Sequence, residues 1–285
     1  MVVATLVSVC VIAAMACFLL ITAVKARRLK NLPLHSRLEL YPVPKEGGGR
    51  AKYGGSYFEE VEWWAKPRSI DKVSETREIL MEMLFIRKLF QNQRSLWWAS
   101  WGFHLGIYVM FAWTALLVVH AFWAPAALSW LATAVGVLGF VTATLGALLL
   151  LLRRAFDKTL RKYTTPQEYF NIVFILSVLL SGIYCWSAIA SPFAVANGVL
   201  HFSGQDLPWQ VVIHVALLCA MLVYIPLSKM SHYIGKFFSF HKVLWENDPN
   251  LPGSHVDQRM HAATSRRPQT SWSAVHVNPP KTTEE

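Results

Sequence analysis

Between Arg94 and Arg153 the chain runs for 58 residues without a Lys, Arg, Asp or Glu. A hydrocarbon layer about 30 Å thick is crossed by about 20 helical residues, so this stretch is too long for one crossing and about right for two. Pro125, flanked by Trp123 and Trp130, is the natural turn between them, because proline interrupts a helix and tryptophan favours the membrane boundary. The same reasoning predicts five spans, roughly 2–24, 96–123, 127–152, 169–190 and 208–228, the last continuing as helix to about Phe238. The expected fold class is all-α, an integral membrane bundle of five transmembrane helices with a long cytoplasmic loop between helices 1 and 2. Four regions follow: a first transmembrane helix (1–24), a cytoplasmic docking segment with a surface helix (25–95), a four-helix membrane core (96–240) and a polar cytoplasmic tail (241–285).

The first span is free of charge as far as Val24, and Lys25, Arg27, Arg28 and Lys30 follow it. A secretory signal puts its positive charge before the apolar stretch, so this segment is expected to be a retained anchor. The formal net charge is +10, a value that would suit nucleic acid were the charge not so unevenly placed. With five crossings, segments 25–95, 153–168 and 229–285 share one side and hold 15, 5 and 7 of the 27 Lys and Arg residues. The other side carries only Asp206. The positive-inside rule then puts the N-terminus outside and the C-terminus in the cytoplasm of a prokaryotic inner membrane, with lipid and not nucleic acid as the surroundings.

Cys10, Cys17, Cys185 and Cys219 all fall within spans, and no Cys-x-x-Cys pair occurs. Zinc, iron–sulfur and covalent haem sites lack their usual ligand pattern, and these thiols are expected to pack as small apolar side chains. The 25–95 segment opens irregularly, with Gly47–Gly49 and Gly54–Gly55, and then turns helical from Asp71 to Gln93, where Val73, Leu80, Met83, Leu84 and Phe90 recur among charges. That pattern suits a helix at the membrane surface. Tyr53, Tyr57, Phe58, Trp63 and Trp64 interleave with Glu59, Glu60 and Glu62, a mixture that suits a protein contact better than a plain solvated connector. The tail after Trp245 is polar and aperiodic, with His255, His261 and His276 scattered along it; disorder or a draped extension is expected there.

His104, His120 and His214 lie within spans, and His232 lies on the expected extension of the fifth. A polar ring in hydrocarbon is costly, so each is a functional candidate, the bland alternative being a histidine hydrogen-bonded to a neighbouring helix. His214 and His232 are 18 residues apart, five full turns, which would face both one way about 27 Å apart along a continuous helix. The second span runs antiparallel to the fifth, setting His104 at the depth of His232 and His120 at that of His214. Two imidazoles from facing helices complete six-coordinate haem iron, and an apolar bundle interior suits the macrocycle. Lys229, one turn before His232, is placed to neutralise a propionate.

The run Ser-Trp-Gly-Phe-His104-Leu-Gly-Ile-Tyr, with Ile-His214 and Pro-Leu-Ser-Lys-Met-Ser-His232-Tyr-Ile, resembles the gamma subunit of respiratory nitrate reductase. The resemblance covers about residues 95–240 and the first span, and implies five spans, an outer N-terminus and two b-type haems ligated from the second and fifth helices. In that pattern the second histidine of the second helix comes ten residues after the first, where this chain has Thr114. His120 is then the expected partner of His214, with His201 as the alternative; a single haem is the remaining possibility. Because 16 residues turn a helix by about 160°, His104 and His120 serve two sites only if the helix bends, tilts or stands between two partners. The long 25–95 segment looks more like the cytochrome b subunits of sulfite-reduction and heterodisulfide-reductase-like membrane complexes, whose partners are iron–sulfur proteins.

The expected function is electron transfer between the quinone pool, menaquinone or ubiquinone, and a cytoplasmic iron–sulfur subunit through two b-type haems. The chain would be the quinol-oxidising or quinone-reducing membrane subunit of an oxidoreductase complex, with flow possible in either direction. Gln205, Asp206, Trp209 and Gln210 lie within one or two turns of His214; Asp206, Trp209 and Gln210 are the quinone-site candidates, Asp206 having the plainer role of a helix N-terminal charge. The rival is a transporter or a non-redox scaffold with proton-relay or structural histidines, but neither paired repeats nor mid-depth charges are evident.

Overall fold

A computed structural model describes residues 2–31, 61–67, 70–203, 207–245 and 251–264, and every regular element among them is helical. Five helices are long and apolar enough to cross a membrane: α1 (Val2–Asn31), α4 (Arg94–Phe122), α5 (Ala126–Phe156), α7 (Pro166–Ala188) and α9 (Trp209–Leu227). The chain is a multi-pass membrane protein. Shorter helices are α2 (Lys72–Phe85), α3 (Arg87–Asn92), α6 (Lys158–Tyr163), α8 (Pro192–Leu200), α10 (His232–Leu244) and α11 (His255–Thr264). The boundaries have local causes. Pro125 caps α5, and Asp157 accepts the Thr159 and Leu160 N–H groups to start α6. Thr165 and Glu168 form a capping box ahead of Pro166 in α7, satisfying donors that a helix start leaves open.

The chain divides into two compact units, one comprising Met1–Ala26 and Val73–Phe237, the other Arg27–Lys72 and Phe238–Glu285. In the first, α4 packs along α5, and α7 packs against both α5 and α9. Small residues make the α4–α5 approach close. A Cβ on Gly139 would lie 2.9 Å from Met110 Sδ and one on Gly106 would run into the Ala143 backbone, the kind of interface that joins helices in lipid. One core joins Trp113, Phe140, Ala143, Ile175, Leu179 and Met221; a second joins Val7 of α1 to Cys185, Val199, Val211 and Val215. Outward positions such as Leu19, Val137, Leu145 and Val173 are exposed and apolar, as lipid-facing surfaces require.

Three expectations are corrected in detail. The helix predicted over 71–93 breaks at Ile86, whose left-handed backbone (φ 49°) ends α2, while Trp97 Nε1 and Tyr108 Oη donate to the released carbonyls of Phe85 and Met83. The face of α2 that is buried carries Glu75, Ile79 and Glu82, whereas Val73, Leu80 and Leu84 are exposed. The fifth span does not continue as helix to Phe238: it ends at Leu227 after Pro226, a 3-10 turn spans Lys229–Ser231, and α10 restarts at His232. The polar tail contains α11, begun by Ser254 Oγ accepting the Asp257 N–H while Asp257 Oδ2 accepts that of Gly253. Among the cysteines, Cys185 is buried, but Cys10 and Cys17 are exposed on α1. Within the second unit Lys242 Nζ donates to the Leu29 carbonyl.

Candidate functional site

α4 and α10 bring His104 and His232 together, with ring centroids 6.0 Å apart and ring planes at 75°. Two imidazoles bound to one metal through nitrogens at about 2.0 Å, each about 1.1 Å from its ring centre, would have centroids about 6.2 Å apart. The observed separation matches that arrangement. Each ring is held by its other nitrogen: His104 Nδ1 stands 2.6 Å from the Ser100 carbonyl and His232 Nδ1 a longer 3.4 Å from that of Lys229. A carbonyl only accepts, so both Nδ1 atoms donate and both Nε2 lone pairs are left for a ligand bond, the usual support of a metal-bound histidine. His232 keeps accessible surface, yet the burial around its ring pushes its pKa below the ordinary value, with the Lys229 carbonyl acting the other way and the Lys236 ammonium adding to the decrease. Neutral imidazole is the form that binds metal.

The donor set decides what kind of metal fits. No group of three or more His, Cys, Asp or Glu side chains suited to a metal ion occurs among the described residues, and a bare ion would need such a group. A metal that brings four in-plane nitrogens needs only two axial imidazoles, as haem iron does. Haem therefore fits this pair.

Beside it, Lys236, one turn after His232, donates to Glu82 Oε1 at 2.7 Å, and Glu82 Oε2 accepts the Lys88 N–H. Glu82 is nearly buried, its side chain 6% exposed. Lys229, the cation singled out in the sequence, is exposed. Lys236 was legible at helical spacing from His232; Glu82, 154 positions away, was not.

His214 lies at the other end of the bundle. Its Nδ1 is 2.9 Å from Ser181 Oγ, and that hydroxyl also reaches the Val178 carbonyl at 3.1 Å. With the hydroxyl hydrogen on the carbonyl, Nδ1 donates and Nε2 again keeps its lone pair. Gly182 makes room for the ring, since a Cβ there would stand 2.9 Å from His214 Cε1 and 3.0 Å from Phe140. Trp113 fills the adjoining space, stacked on Trp186 at 5.4 Å and edge-on to Phe140.

The other expected participants are placed elsewhere. His120 engages Ser129 Oγ through Nε2 at 2.8 Å and packs on Phe193; none of its contacts among the described residues is with His214. His201 is exposed, packs on Phe122, and has Nδ1 on the Asn197 carbonyl. Thr114 is exposed and donates to Met110 of its own helix. Trp209 opens α9 and is 69% exposed, while the Gln210 carbonyl accepts from Cys185 Sγ. Asp206 and Gln205 lie outside the described residues, as do residues 32–60 of the docking segment, with Tyr53, Tyr57, Phe58, Glu59 and Glu60, and the end of the tail with His276.

A sequence model of the family described as nitrate reductase gamma subunit matches residues 88–242, which takes in α4 to α9, most of α10 and all four of the histidines first singled out. Among curated proteins, none matches this chain.

Proposed function

We propose, from the premise that the chain belongs to the nitrate reductase gamma subunit family, that it carries electrons between the quinone pool and a cytoplasmic iron–sulfur subunit by way of two b-type haems. Members of that family are haem b-binding membrane cytochromes of electron transfer, each one subunit of a multi-subunit reductase. The observation that carries this proposal is the His104–His232 pair, two imidazoles with ring centroids 6.0 Å apart, each with its Nδ1 at a backbone carbonyl.

When bound, haem supplies a one-electron couple that neither imidazole nor any other side chain here provides. His104 and His232 would hold one haem, and the Ser100 and Lys229 carbonyls would keep their rings in orientation. Lys236, kept in place by Glu82, puts a positive charge beside this site. His214, oriented by Ser181, would ligate the second haem; for His120 to join it, its ring would have to leave Ser129. At the His214 end, Asp206, Trp209 and Gln210 are the groups that would receive a quinol and lead its two protons to water. The distribution of basic segments supports a His104 end at the cytoplasmic face of a prokaryotic inner membrane and a His214 end at the outer face. The 25–95 segment is the docking platform for the iron–sulfur partner.

The test is spectroscopic. Membranes bearing the protein should show the reduced-minus-oxidised spectrum of b-type haem, and pyridine haemochrome should count two haems per chain. His104→Ala and His232→Ala should each remove the same low-spin component, and His214→Ala a different one. A colourless preparation would reject the reading in favour of a non-redox membrane protein. Deletion of residues 40–66 should leave the haem in place and release the partner subunit, and unchanged co-purification would move the platform elsewhere.

A further inference from the structure

His232 begins a helix, so its direction is set by the break before it. α9 stops after Pro226, and Ser228 takes an extended backbone (φ −100°, ψ −176°) with its Oγ accepting the Met230 N–H at 3.1 Å. In an unbroken helix that N–H would go to the Pro226 carbonyl. Here the Pro226 carbonyl takes its hydrogen bond from α1 instead: Lys25 Nζ donates to it at 2.8 Å and to Ser231 Oγ at 2.7 Å. On the far side of His232, Tyr233 Oη meets Thr22 Oγ1 at 2.9 Å and its ring stacks on Phe18 at 6.4 Å. Phe18, Thr22 and Lys25 are spaced i, i+4 and i+7 and form one stripe of α1. The two residues that flank His232 are therefore both held by a single stripe of the first span.

We propose that α1 is a positioning element for His232 and that Lys25 is its principal positioning residue, fixing the turn that aims the imidazole and placing a cation on Ser231, the residue before it. The inference rests on His232 being a haem ligand. The plainer role for a lysine at the end of a span is to extend its head into the interface. A lysine so employed has no need of a backbone carbonyl and a hydroxyl more than 200 positions away in the chain.

The experiment uses the full chain purified with its haem, and reads two properties of the component that disappears in His232→Ala: its low-spin ferric EPR spectrum, which reports the mutual orientation of the axial imidazoles, and its midpoint potential. Lys25→Met should change the EPR spectrum of that component and lower its potential, because a cation favours the reduced form, while leaving the other haem unchanged. Lys25→Arg should restore both toward wild type. Ser231→Ala keeps the charge but removes one acceptor, so it should shift the EPR spectrum with little change in potential. Unaltered EPR and potential in Lys25→Met would overturn the proposal. If that variant fails to accumulate, an unaltered EPR spectrum in Ser231→Ala overturns it equally. Persistence of every haem signal in His232→Ala would instead refute the ligand assignment on which the proposal stands.

Discussion

Two glycines of α4, one turn apart, separate packing from helix propensity in a single experiment. A Cβ added at Gly102 meets nothing within 4 Å, whereas one added at Gly106 would overlap the Ala143 backbone and stand 2.8 Å from Ala143 Cβ. Ordinary carbon contacts fall at about 3.5–4.0 Å, so Gly106→Ala must drive α4 and α5 apart by about 1 Å. The atoms in the way belong to the backbone and cannot rotate aside, which puts the penalty toward the upper part of the usual overpacking range of about 1–3 kcal/mol. Both substitutions gain about 0.5–1 kcal/mol from replacing a helical glycine. The expected result is a modest stabilisation in Gly102→Ala and a net loss of about 1–2 kcal/mol in Gly106→Ala, a gap of tenfold or more in the folded ratio. The assay is thermal loss of low-spin haem absorbance in detergent, with size-exclusion of the heated samples, the two variants run beside wild type. Because His104 is two residues from Gly106, the haem signal should fail before or together with the fold. A Gly106→Ala protein as heat-resistant as Gly102→Ala would refute the close α4–α5 packing.

Lys236→Met should destabilise by about 1–2 kcal/mol, below the 3–5 typical of a wholly buried pair, because Lys236 is 36% exposed and Glu82 keeps the Lys88 N–H. Adding Glu82→Gln should recover much of that loss, as a double-mutant cycle by thermal melting would show. Pro226→Ala should let α9 run on past Leu227 and disturb the low-spin component that depends on His232, visible as an altered EPR spectrum at unchanged protein yield. Thr165→Ala removes the hydroxyl of the α7 capping box and should cost about 1 kcal/mol in the same melts, with the haem spectrum unaffected.

The spans were legible because hydrocarbon leaves a chain few choices: 58 uncharged residues and a proline between two tryptophans fix α4, α5 and their turn to within a few positions. The breaks were less so. Nothing in the apolar pattern around Ile86 announces a left-handed residue, and its cause lies in Trp97 and Tyr108 capping the carbonyls of α2 from another helix. The orientation of α2 was also hidden, since amphipathicity alone predicts that charges face water. Here Glu82 turns inward because Lys236, distant in sequence, is there to meet it.

The pairing of His104 with His232 follows from their matched depth on antiparallel spans, whereas a shared face for His214 and His232 follows from helical phase, and only the second needs an unbroken helix. The 18-residue interval puts His214 and His232 on one face only if the helix is continuous, and it is interrupted at Ser228. His232 still meets His104 because the Ser228–Ser231 turn, braced by Lys25, re-aims the chain. Position in a span likewise says nothing about which ring nitrogen is engaged. His104, His232 and His214 are held by Nδ1, leaving Nε2 for a ligand bond, whereas His120 spends Nε2 on Ser129. Ser129 stands nine residues on, in the first turn of α5, and Phe193 covers the ring from α8. That arrangement joins α4 to α5 across their turn, so the same side chain cannot ligate iron beside His214 until the Ser129 hydrogen bond is broken.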